Sequence, residues 1–104
     1  MYVEHLSPGY WVTELDVVEW DDEYAVMDTA DHAALAEFVY GCSNHPLLVK
    51  EHRNTNVHLP VYPESSIPEG TIVVPAEKPA FESSREIVLI VKENFAKKLF
   101  RLMG

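Results

Sequence analysis

Residues 46–75 read Pro-Leu-Leu-Val-Lys-Glu-His-Arg-Asn-Thr-Asn-Val-His-Leu-Pro-Val-Tyr-Pro-Glu-Ser-Ser-Ile-Pro-Glu-Gly-Thr-Ile-Val-Val-Pro. Prolines at 46, 60, 63, 68 and 75 cut this segment into short aliphatic and β-branched runs. Proline has no backbone N–H to give to a sheet ladder, so it collects at strand ends, edges and bulges. The segment therefore predicts short strands at Leu47–Glu51, Asn56–Val61 and Thr71–Val74. A tight turn around Asn54-Thr55 joins the first pair, and a polar loop from Pro63 to Gly70 leads to the last.

Upstream, Tyr10 to Val18 is rich in β-branched and aromatic residues and predicts another strand, with Trp11, Thr13, Leu15 and Val17 on one face. Ser7-Pro8-Gly9 is a turn signal before it. The acidic Asp21-Asp22-Glu23 separates it from Tyr24-Ala25-Val26-Met27, which suggests an acidic-tipped hairpin. Asp28 or Thr29 then caps a helix that carries Leu35, Phe38 and Val39 on one face and stops at Gly41.

The last segment contains a conflict. Ser83 and Glu86 have capping-box spacing, and Ile87, Val91, Phe95 and Leu99 recur every four residues. Yet Ile87-Val88-Leu89-Ile90-Val91 is also a good buried strand. The cap, and the helix formers from Lys92 to Lys98, favour one long helix to about Met103. The resulting pattern is β-β-α-β-β-β-α. It describes an α+β fold with a small mixed or antiparallel sheet of about five short strands and two helices, in one domain of residues 1–104.

The chain has 104 residues, 47% of them hydrophobic, enough for one core. No apolar run approaches the ~20 residues of a membrane span, and the N-terminus has no signal-peptide pattern. With Cys42 as its single cysteine the chain cannot form an internal disulfide, and a cytoplasmic location is expected. Seventeen acidic residues against 8 basic ones give a net charge of −9. Such a surface repels phosphate backbones, which weighs against nucleic acid, and it suits a salt-tolerant protein.

Chemical motifs are sparse. Cys42-x-x-His45, with His52 and His58, offers zinc-type ligands. Across a tight hairpin, however, His52 would oppose Val57 and His58 would oppose Glu51, on opposite faces, so no metal site is expected. Cys42 follows a helix C-terminus, where the dipole does not favour a thiolate. Ser65 and Ser66 lack a nucleophile elbow, and the glycines at 9, 41, 70 and 104 are isolated, so no phosphate loop exists. Glu14, Asp16, Glu19, Asp21, Asp22 and Glu23 lack calcium-loop spacing and read as a solvated face and turn. Neither catalysis nor a cofactor is expected.

Aromatic residues are abundant: Tyr2, Tyr10, Trp11, Trp20, Tyr24, Tyr40 and Tyr62. Tyr and Trp favour interaction hot spots because they bury large area and keep a polar handle. The apolar run at 87–91 exceeds what one helix face needs to bury. These features point to a small non-enzymatic protein-interaction module or homo-oligomeric accessory protein. Trp20, Tyr62, Val88 and Val91 are its expected contacts, to a protein partner or a second copy. An alternative, a nucleic-acid- or ribosome-associated regulator, rests on Lys50 with Arg53 and on Lys97, Lys98 and Arg101. A small metal-binding protein is the third reading.

The chain resembles a small uncharacterised family of haloarchaeal proteins, a domain of unknown function. The resemblance rests on Gly9-Tyr10, Ala25-Val26-Met27, Pro46 to Lys50, His58 to Val61, Ile67 to Pro75 and the closing segment. It implies a soluble, salt-tolerant cytoplasmic protein and carries no assigned activity.

Overall fold

The computed structural model describes residues 2–42, 45–52, 57–76 and 87–103. It contains eight strands rather than about five, with two helices. In chain order these are β1 (Val3–Ser7), β2 (Tyr10–Glu14), β3 (Asp16–Trp20), β4 (Ala25–Met27), α1 (Thr29–Tyr40), β5 (Leu47–Glu51), β6 (Leu59–Pro63), β7 (Thr71–Pro75), β8 (Ile87–Val91) and α2 (Glu93–Met103). The strands form one mixed sheet in the order β1-β2-β8-β5-β6-β4-β7-β3. β4 runs parallel to β6 and β3 parallel to β7, while the remaining pairs are antiparallel.

A single residue, Leu15, separates β2 from β3. In a flat sheet of this order those strands would lie about 29 Å apart. Their facing ends, Glu14 and Asp16, are two residues apart in the chain and so no more than about 7 Å apart. The sheet must therefore curl until its ends meet. β2 and β3 are two halves of one bent strand, which closes a barrel with β8, β5, β6, β4 and β7, and β1 is added outside on β2. The pleat runs through the bend without a slip: Thr13 and Leu15 are buried, and Val17 packs on the same core.

The interior is filled by Leu15, Ala25, Met27, Leu47, Val49, Leu59, Val61, Ile72, Val74, Val88 and Ile90. Leu35 and Ala36 of α1 join that cluster. A helix about 10 Å wide cannot lie inside so small a barrel, so α1 closes one of its open ends. Its cap is Asp28, whose Oδ2 accepts from Asp31 N–H at 3.1 Å. It ends at Gly41, whose φ of +74° suits glycine. Asp31 adds a tertiary tie, accepting from Gly70 N–H at 2.6 Å. α2 lies on the outer surface, where Ala96, Leu99 and Phe100 cover Leu48, Val91 and Tyr10.

Several expectations are corrected. The acidic-tipped hairpin does not form, because β7 lies between β3 and β4. The long last helix is replaced by β8 followed by α2. β8 sits between β2 and β5, with Val88 and Ile90 facing the interior and Val91 beneath α2. A strand buried on both faces reads as an unbroken apolar run, so its period is ambiguous. β6 begins at Leu59 rather than Asn56, and pairs with β5 through Val49↔Leu59 and Leu47↔Val61. Continued outward, this register sets His58 across from Lys50, one residue from the expected pairing. Pro60 lies inside β6, but the ladder to β4 starts one residue later, at Val61. Phe38 points outward at 56% exposure instead of joining Leu35 in the core. The Asn54-Thr55 turn and the Ser83–Glu86 capping box lie outside the described residues.

Tyr40 joins both apolar clusters, but its hydroxyl is buried and has no hydrogen-bond partner among the described residues. Burial, with the charge of Glu93 adding, pushes its ionisation well above the usual tyrosine range. A buried hydroxyl without a partner costs stability. Tyr40→Phe should therefore stabilise the fold by about 1 kcal/mol, read as a higher denaturant midpoint at unchanged slope. A lower midpoint would show that the hydroxyl is satisfied in solution.

Candidate functional site

The outer face of the barrel carries a row of four aromatic rings from four different parts of the chain. Trp20 ends β3, Tyr24 precedes β4, Tyr62 lies in β6 and Phe100 in α2. Trp20 and Tyr24 meet edge-to-face at 5.3 Å between centroids, Tyr24 and Tyr62 at 5.2 Å, and Tyr62 and Phe100 at 5.8 Å. Such geometry is the favoured one for ring quadrupoles. The Trp20 Nε1–H donates to the Tyr24 carbonyl at 2.8 Å, which fixes the first pair.

Strand alternation explains the orientation of Tyr62. Leu59 and Val61 face the barrel interior, so Tyr62 between Val61 and Pro63 faces out, at 41% exposure. It stands between two clefts that both include Pro63. The first, about 460 Å³, is also lined by His32, His45, Pro46, Val61 and Phe100. The second, about 350 Å³, is also lined by Tyr24, Val26 and Glu64.

Two histidines support the first cleft. His32 is buried in α1, with Nε2 at 3.1 Å from the Val61 carbonyl. A carbonyl only accepts, so this nitrogen carries the proton and donates. Burial lowers the pKa of His32, and the Val61 bond opposes that only in part. His45 is half-buried and donates from Nε2 to Glu93 Oε1 at 2.6 Å. Glu93 also pairs with Lys97, at 3.0 Å one turn along α2. The pair joins the start of α2 to the segment leading into β5.

Of the expected contacts, Trp20 and Tyr62 belong to the same row, linked by Tyr24. Trp20 is half-buried. Val88 and Val91 do not reach the surface: both have 0% exposure, because the run that contains them is a central strand. Among the described residues of the closing segment, Phe95 and Leu102 are the exposed large apolar ones. Sequence reasoning misses Phe100, His32 and Glu64, since nothing in their spacing marks them; only the barrel and α2 bring them to Tyr62. Glu14, Asp16, Glu19, Asp21, Asp22 and Glu23 are all exposed.

The zinc-type residues do not converge. His45 is engaged with Glu93, and His58 stacks edge-to-face on Phe95 at 6.0 Å. Among the described residues no group of three or more His, Cys, Asp and Glu is placed to hold a metal ion. No helix among them is long and apolar enough to cross a membrane.

Burial also lowers the pKa of His58, with the Lys50 charge adding to it. For both His32 and His58 the unfolded chain binds a proton more readily than the folded one. Their stabilising contribution is thus complete above the unfolded value and lost as pH falls below it. The melting temperature should fall as pH drops from about 6.5 to about 5. His32→Gln should flatten that fall; an unchanged pH profile in the variant would remove His32 from the cause.

No curated protein and no solved structure matches the chain. Residues 1–104 match the family of unknown function DUF5802, and the chain belongs to that family.

Proposed function

We propose that the protein is a small non-enzymatic interaction module, with Trp20, Tyr24, Tyr62 and Phe100 forming its contact surface for another protein or a second copy of the chain. The observation that carries this reading is Tyr62, a half-exposed ring braced by Tyr24 and Phe100 and flanked by clefts on both sides. A rigid aromatic between pockets offers apolar area and a hydroxyl at small entropic cost, the usual makeup of a hot spot.

Charge favours protein over nucleic acid. Asp21, Asp22, Glu23 and Glu64 lie on the loops beside this row and would repel phosphate. The basic groups that favour the alternative are a weaker footprint: Lys50 has 3% exposure, Lys97 is paired with Glu93, and Arg53 lies outside the described residues.

The test replaces Tyr62 with photo-reactive p-benzoylphenylalanine, and Glu37 on the exposed face of α1 as a control, followed by irradiation at native salt. A defined protein adduct, or a dimer of the chain, is expected from position 62 and not from position 37, and should survive nuclease. Identical adducts from both positions, none from either, or adducts abolished by nuclease would contradict the proposal.

A further inference from the structure

The second cleft has a chemistry of its own. Tyr24 and Tyr62 stand at 89° to one another and form two of its walls. Val26, at 2% exposure, and Pro63 supply apolar surface, and Glu64 completes the lining with its charge close enough to act on the Tyr24 hydroxyl. From these features we infer that the cleft between Tyr24, Tyr62 and Glu64 binds an arginine side chain from a basic segment of a protein partner. This rests on the proposed interaction function and names the chemistry that its surface recognises.

The aromatic walls, Glu64 and the negative field select that occupant. Aromatic faces attract cations through their quadrupoles, and a planar guanidinium both stacks on a ring and forks onto a carboxylate. Lysine offers only a point charge to the same walls. The field is negative: the Asp22 carboxylate, then burial, and further off Glu64, raise the pKa of the Tyr24 hydroxyl. Exposed Glu19, Asp21 and Glu23 continue that charge along the chain that carries Trp20 and Tyr24, on a protein with a net charge of −9. A basic segment would be drawn to this surface over a Debye length and would then be held by the cleft.

The probe is a capped glycine–arginine pentapeptide, titrated into the full chain by calorimetry beside its citrulline and lysine counterparts. Saturable binding of the arginine peptide is expected, weaker for lysine and absent for citrulline. Tyr62→Ala should weaken it about tenfold, as loss of a partly desolvated cation–ring contact predicts. Glu64→Gln, an exposed substitution that does not disturb the fold, should weaken it about threefold, and Glu37→Gln, which changes net charge equally, should not. Equal effects of the two glutamine variants would reduce the binding to diffuse charge and overturn the inference. So would equal binding of citrulline, or tighter binding of tetramethylammonium than of the peptide. If the arginine peptide fails while position 62 still cross-links a partner, the arginine inference falls and the interaction function stands.

Discussion

Leu15 is the residue on which the architecture depends. It joins two strands that lie at far-separated positions of one sheet, so the sheet can satisfy both ladders only by closing on itself. β2 hands its ladder to β8, and one residue later β3 hands its own to β7. A closed sheet removes most of the exposed ladder edge that a small open sheet presents to solvent and to other chains. Closure also gives each strand two distinct faces. One points into a small interior crowded with Val, Ile and Leu, and the other points outward.

The two helices then have different tasks. α1 plugs an end of the barrel with Leu35 and Ala36, and Tyr40 in its last turn also packs on the outer cluster beneath α2. α2 covers the outward residues of β2, β5 and β8. It does not extend over β4, β7 and β3, so the aromatic row occupies that sector of the surface. Tyr62 stands at the boundary, touching Phe100 on the side that α2 covers and Tyr24 on the side that it leaves open. The clefts are therefore a consequence of a helix too short to cover the whole barrel. The acidic character of the second cleft comes from Glu64 and from the exposed Asp21-Asp22-Glu23 turn before Tyr24, both of which lie in connections rather than in strands.

Local chemistry is legible wherever one segment settles its own conformation. Asp28 and Gly41 bound α1 as expected, and the alternation of Thr13, Leu15 and Val17 marks the inner face of the bent strand. Leu47–Glu51 has its expected limits. Pairing is not legible, because it depends on distant partners. The turn at Asp21-Asp22-Glu23 looks like a hairpin tip from within, and only β7, far along the chain, separates its two arms. Val3–Ser7 carries no run of apolar residues; it is mostly exposed and forms a strand only because β2 offers it an edge. At Ile87–Val91 the four-residue spacing belongs to a strand buried on both faces and to the helix after it, and periodicity cannot divide them. The same distinction runs through the site. Tyr62 and Trp20 can be singled out by residue type, while Val88 and Val91 would reach a surface only if that segment were helical.

The sheet closure, and with it the assembly of the aromatic row, is tested most directly by cross-strand nuclear Overhauser effects in solution. Contacts of Val17 with Ile72 and of Thr13 with Val88, together with ring contacts between Tyr24 and Tyr62, are predicted in the same molecule. Antiparallel contacts running directly between 16–20 and 25–27, with none from Val17 to Ile72, would restore the simple hairpin and contradict the closed barrel.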